Sequence, residues 1–267
     1  MKRVHSFEFN DQPWLPAAVR NAMTDYLEFA ERLCKLYEPV IPILAGALRE
    51  TGCRRVVDLC SGAGGPWLEV LPRLRALGLD IDVTLTDKFP NPALLDRLPD
   101  PLREHIAYHA ESVDARDVPE SLDGLRTVWT ALHHFEPDDV RAILQNAVDR
   151  NAPFAAFEFT RPDWRYFLTM ILAPLVVLLT TPFIRPFRWS RVHVTYTVPV
   201  LPFIVLWDGM VSCLRTYTPG ELEAMTASLH GEGYAWRSGE ALAKGIPSPV
   251  LYLIGIPRQE PDPKGTS

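Results

Sequence analysis

The sequence predicts an α/β fold: a doubly wound, mostly parallel seven-stranded sheet with an N-terminal helical cap and an apolar insertion after the fifth strand. Three observations lead there. Short apolar, β-branched runs alternate with helix-period segments from residue 55 onwards. The first run, Val56-Val57-Asp58-Leu59, breaks into the small residues Cys60-Ser61-Gly62-Ala63-Gly64-Gly65 and then into a helix-like segment. Acidic and histidine residues fall at the ends of successive runs, the edge where open α/β sheets bind ligands.

In chain order, residues 1–54 form an arm and helical cap. The arm carries Phe7, Phe9 and Trp14 among prolines and must lie against apolar surface. Apolar spacing from about Ala17 to Leu48, interrupted by Pro39 and Pro42, predicts two or three short helices. Residues 55–160 form the ligand-binding core. A strand over residues 55–59 leads through the glycine turn into a helix over residues 67–77, which ends at Gly78. A second strand, residues 82–87, delivers Asp87 about twenty residues past the glycines. A short helix over residues 91–98 and a third strand over residues 106–110 lead to an acidic loop with Asp114, Ala115 and Asp117. The fourth strand, residues 125–132, runs into His133-His134-Phe135; a helix over residues 137–149 and a fifth strand over residues 154–160 follow.

Residues 161–217 break the alternation. Residues 166–184 hold no charge, Arg185, Arg188 and Arg191 frame a loop, and residues 192–207 are again apolar. Either this is a lid over a hydrophobic acceptor or it enters or rests on a membrane. The first run approaches the length of a bilayer span, but Pro174 and Pro182 interrupt it, and Pro199 and Pro202 break the shorter second run. Both readings imply a lipophilic substrate. Residues 218–257 complete the core with a helix and two strands, and the polar, proline-rich residues 258–267 are expected to be a disordered tail.

Composition narrows the partners. A formal net charge of −6 and a pI near 5.7 disfavour nucleic acid. Cys34, Cys53, Cys60 and Cys213 are scattered without the spacing of a zinc site or disulfide framework, so no metal is expected. With early charge and no apolar h-region at the N-terminus, a cytoplasmic location, with membrane association as the variant, is the expectation.

These motifs in this order resemble the class I S-adenosylmethionine-dependent methyltransferases, a Rossmann-like family. The correspondence covers about residues 55–256 and is poor across the insertion. The resemblance implies S-adenosylmethionine as cofactor and a methyltransferase activity. It implies that Asp58, Cys60, Ser61, Gly62 and Gly64 cradle the methionine moiety, that Asp87 holds the ribose hydroxyls, and that Asp114 and Ala115 meet the adenine edge. Residues 130–135, from Thr130 to Phe135, are similar to the fourth-strand motif facing the transferable methyl. One departure is Cys60, where the family usually has glycine; a cysteine is expected to take ordinary backbone angles there.

Methyl transfer is an in-line displacement, so the protein must position the acceptor, exclude water and, for a protonated nucleophile, supply a base. His133 and His134 are the candidate bases, since an imidazole with a pKa of about 6.5 can take a hydroxyl proton at neutral pH. This slightly favours oxygen as the methylated atom; the alternative is that both histidines orient the loop. Trp14, Trp207 and Asp208 are candidates for the acceptor pocket, with packing as the other reading. Two further functions stay open: a catalytically silent relative that binds a partner or membrane through the insertion, and a nicotinamide oxidoreductase. The latter wants a third glycine where Trp67 stands.

Overall fold

The computed structural model describes residues 3–62, 64–90, 95, 98–231, 233–242 and 249–258. Ala63, most of the helix expected over residues 91–98 and nearly all of the expected tail lie outside them. The cap consists of α1 (Ala17–Cys34), a short 3-10 turn (Glu38–Val40) and α2 (Ile41–Thr51). Pro39 and Pro42 fall at the first turns of their helices, where a missing N–H costs nothing.

The core follows as β1 (Arg55–Leu59), α3 (Trp67–Ala76), β2 (Asp82–Leu85), α4 (Asp100–Arg103), β3 (Ile106–Tyr108), β4 (Leu125–Trp129), α5 (Pro137–Asp149) and β5 (Phe154–Glu158). The insertion contributes α6 (Trp164–Thr180), α7 (Trp189–Val192), a π-turn (His193–Thr197) and α8 (Val200–Arg215). It is followed by α9 (Pro219–Ala227), β6 (Tyr234–Ala241) and β7 (Val250–Pro257).

The seven strands lie in the order β3-β2-β1-β4-β5-β7-β6. β1 to β5 are parallel and β7 is antiparallel to both its neighbours. The sheet is therefore doubly wound and mostly parallel, as the alternation predicts. β4 and β5 are buried at every position because helices cover both faces, and the polar side chains they carry, Arg126, Thr127 and Glu158, are buried with them. One core cluster joins α2 and α3 to the sheet and a second joins α5 and α9 to the other face. The switch point, where the chain reverses from β1 towards β4, lies beside the glycine turn.

One expectation needs correction. Pro174 does not interrupt the first apolar run: α6 runs through it to Thr180. Packing of Ala173 and Val177 into a third cluster, shared with α1 and α8, outweighs the one lost backbone hydrogen bond. The second run does break, with an 81° bend between the segment ending at Thr197 and α8. Pro199 sits at the α8 N-cap.

Candidate functional site

Asp58 lies one residue before the end of β1; it is 1% exposed and its carboxylate organises the glycine turn. Its Oδ2 accepts from the Ser61 hydroxyl at 2.7 Å and its Oδ1 from the Thr127 hydroxyl at 2.6 Å. Burial pushes its pKa up to about 7 against those hydrogen bonds. Ser61 returns a bond to the end of β2, its hydroxyl accepting from the Thr86 N–H at 3.1 Å. Asp58 thus staples the turn from below.

Cys60 has φ of +57°, in the left-handed region. This corrects the expectation of ordinary angles: the turn keeps the geometry that glycine would supply, and the strain falls where the Cys60 Cβ meets the backbone. Burial, then the nearby carboxylates of Asp87, Asp58 and Asp114, raise the thiol pKa far above its ordinary value, so it is no nucleophile. A Cys60→Gly variant should keep the turn and unfold at a somewhat higher temperature, since glycine takes the left-handed region without a strain of the order of 1 kcal/mol; thermal unfolding of both forms checks this.

Asp87, past the end of β2, bridges to the turn. Its Oδ2 accepts from the Gly62 N–H at 2.9 Å and its Oδ1 from the Phe89 N–H at 2.8 Å. Each oxygen keeps a lone pair for a further donor. Gly62, at φ +49°, has nothing within 4 Å of the space a Cβ would take, so the turn is open at the point Asp87 holds. Asp114 opens the loop after β3. Arg116 grips it through two side-chain nitrogens, at 2.9 and 2.6 Å, and holds it below the usual carboxylate range. Ala115 beside it is buried, and Arg116 also reaches Asp139 in the first turn of α5 at 2.8 Å.

β4 delivers Thr130 and the histidines. Thr130 has φ of +45°, rare for a β-branched residue, and its hydroxyl shares a 2.7 Å hydrogen bond with Tyr37 from the cap. Cys60 and Thr130, just past the ends of the paired strands β1 and β4, are thus both in the left-handed region; such strain clusters at functional sites.

His133 is 2% exposed, and its Nδ1 lies 2.9 Å from Glu158 Oε2 at the end of β5. The other oxygen of Glu158 accepts from the Leu132 N–H at 2.7 Å. This pairing assigns the Nδ1–H tautomer and leaves Nε2 as an acceptor. His134 stacks beside it, ring centroids 4.2 Å apart, and its Nδ1 lies 3.0 Å from Asp11.

The arm supplies Glu8 and Asp11, and α8 supplies Arg215, whose Nη1 lies 3.2 Å from Glu8 and 2.8 Å from Asp11. Burial opposes the charge on Asp11, but hydrogen bonds and charge from His134 and Arg215 hold its pKa well below the usual range. Glu8 goes the other way: burial raises it to about 7 against His134 and Arg215. Ligand atoms of Glu8, His133 and His134 lie within 4.8 Å of one another, a spacing a metal ion could use, but the Arg215 guanidinium competes there for the same carboxylate.

The raised values of Glu8 and Asp58 have a consequence for stability. Their ordinary values are 4.5 and 3.8 and their folded values about 7, so the fold favours their protonated forms. That contribution is complete below about pH 4 and is lost as pH rises through 7. The thermal midpoint of the Glu8→Gln variant should fall less steeply between pH 4.5 and 7 than that of the parent, as scanning calorimetry would read.

A cavity of about 520 Å³ joins these parts. It starts at Gly65, Pro66 and Thr130, passes His133 and His134, and is walled by Tyr26, Phe159, Tyr166 and Met170. Asp208 lines it but is not free: both its oxygens accept backbone N–H groups of the arm, from Phe9 at 2.7 Å and Asn10 at 2.9 Å. Trp14 and Trp207 do not line it. Trp14 is 63% exposed against Phe9, and the Trp207 indole donates to the Phe7 carbonyl at 3.1 Å. Both fasten the arm, the packing alternative.

Glu158, Glu8, Asp11 and Arg215 escaped sequence reasoning. Glu158 alone left a signal, as the single carboxylate ending a fully apolar strand beside the histidine strand.

Comparison with known proteins places the fold. No protein-family model matches the chain, and no curated protein does. Among solved structures it is similar to the O-methyltransferase NcsB1 from neocarzinostatin biosynthesis, in complex with S-adenosylmethionine and 2-hydroxy-5-methyl naphthoic acid. That match has 16% identity and a TM-score of 0.50, covering 90% of this chain and 58% of that one. A second NcsB1 structure, with S-adenosylhomocysteine and 1,4-dihydroxy-2-naphthoic acid, matches at the same identity and TM-score over 59% of its chain. The methyltransferase domain of bacterial CtHen1 matches at 14% identity and a TM-score of 0.48, over 83% of this chain and 99% of that domain. The chain thus has the class I methyltransferase fold, and it spans little more than half the length of NcsB1.

Proposed function

We propose that the protein transfers a methyl group from S-adenosylmethionine to an oxygen of a hydrophobic small-molecule or lipid-like acceptor. The observation that carries this is the cavity that runs from the glycine turn at Gly65 to a carboxylate-held histidine between largely apolar walls.

The strand-end residues fit the cofactor. The turn at Gly62 is open, and Asp87 beside it has two acceptor oxygens with spare lone pairs, suited to a vicinal diol. Asp114 and Ala115 lie on the loop after β3 where an adenine edge would meet the chain, with Arg116 and Lys88 holding the Asp114 carboxylate in place, and Gly65 at the mouth of the cavity carries no side chain. Asp58 and Ser61 act from beneath by shaping the turn. The bound cofactor would supply an electrophilic methyl on sulfur.

The chain's own residues do the rest. The walls from α1 and α6 exclude water and hold an apolar acceptor. His133 Nε2 takes the proton from the acceptor hydroxyl as the nucleophile forms. Glu158 keeps the imidazole in the required tautomer and stabilises its charged form. His134, tied to Asp11 and close to Arg215, serves as a positioning residue.

A thermal-shift comparison tests the cofactor assignment. Saturating S-adenosylmethionine or S-adenosylhomocysteine should raise the unfolding temperature by several degrees, as a ligand at about a hundredfold its Kd contributes about 2.7 kcal/mol. A shift with NAD and none with either methionine nucleoside would favour the oxidoreductase reading instead.

A further inference from the structure

Among the described residues, the outer face of α6 has no partner within the chain. Tyr166, Ala173 and Val177 form its buried stripe, while Leu168, Ile171, Leu172, Leu175 and Leu179 lie on the opposite side, each more than half exposed. Helical spacing separates the stripes by about half a turn, so the helix is apolar all round although only one side is covered. Aromatic residues continue this surface beyond the helix: Phe183, Phe187 and Trp189 are exposed at its C-terminal end and Trp164 at its start. So large a contiguous apolar face is out of keeping with a surface meant for water.

Charge selects the occupant. Residues 164–207 contain no Asp or Glu, although the whole chain has a net charge of −6. Arg165 and Arg185 are exposed near opposite ends of the apolar face, and Arg165 lies over the Trp164 ring at 5.6 Å. An apolar stripe bordered by arginines and tryptophans matches the boundary between acyl chains and anionic headgroups. A spanning orientation fails, because it would strip Ala173 and Val177 from the cluster they share with Val19, Met23 and Ile204.

We propose that the protein docks on anionic lipid bilayers through this face of α6, with the helix lying in the plane of the interface. The inner side of the same helix, through Tyr166, Thr169 and Met170, lines the cavity. Docking therefore brings the cavity wall to the lipid surface. The inference rests on the surface alone and not on the chemistry proposed for the cleft.

Flotation tests it. The full chain, purified in a dialysable detergent, is mixed with vesicles of phosphatidylglycerol and phosphatidylcholine in equal parts, or of phosphatidylcholine alone, and freed of detergent. The parent should float with the mixed vesicles and much less with the neutral ones. A Leu172→Glu/Leu175→Glu variant, whose side chains line neither the cavity nor the core, should partition at least about tenfold less, with an unchanged melting curve and S-adenosylmethionine response. Arg185→Glu should lose the preference for anionic vesicles. The proposal is overturned if the parent fails to float, if the double variant floats equally well, or if light scattering shows a dimer that the double variant dissolves, which would assign the face to a second copy.

Discussion

Replacing Asp87 with alanine should weaken S-adenosylmethionine binding by about a hundredfold or more. Two charge-assisted hydrogen bonds to a ribose diol, each contributing about 1.5–3 kcal/mol, would be lost together. The same carboxylate also accepts from the Gly62 and Phe89 N–H groups, so the open turn loses its tether as well. Asp87→Asn, which retains one acceptor oxygen, should lie between the two. Calorimetric titration reads the effect, and the melting temperature of the ligand-free variants separates a lost ligand contact from a loosened fold. An alanine variant that binds as the parent does would remove the ribose assignment.

The second large effect concerns the imidazole on β4. His133→Ala should lower kcat by about a hundredfold to ten-thousandfold, the usual range for a positioned general base, and leave cofactor affinity nearly unchanged. Glu158→Gln should lower kcat less while altering the pH profile. The amide can still accept from the Leu132 N–H, but it no longer stabilises a charged ring at His133. Equal kcat in the parent and both variants would mean that proximity alone drives transfer and that the histidine pair only shapes the loop.

The sheet was legible because its buried parallel strands are short, mostly apolar runs set between helix-period segments, and because the turn after β1 is built from small residues. The strand-end position of Asp87 followed from the same regularity. The environment of the histidines was not legible. Glu8 and Asp11 come from the arm and Arg215 from the last turn of the insertion, 204 and more residues from the arm. Contacts of that kind leave no period in a sequence. The arm itself is tied down by Asp208 and Trp207, which is why residues marked out for a substrate turn out to hold backbone. Local rules also lost to packing at Pro174, and the left-handed angles of Cys60 and Thr130 exist only because the surrounding strands impose them. β6 runs as far as Ala241 because it pairs with β7 along its whole length.

The most direct test of the account is transfer of label. Protein is incubated with S-adenosylmethionine labelled on the methyl carbon and with an organic-solvent extract of cells, and the extractable product is counted. The account predicts a labelled, lipophilic product whose label resists amine-specific chemistry and is released by ether cleavage or ester hydrolysis, and its formation should fall with Asp87→Ala and with His133→Ala. Tight binding of S-adenosylmethionine without any transfer of label, across extracts that span polar and apolar acceptors, would contradict it.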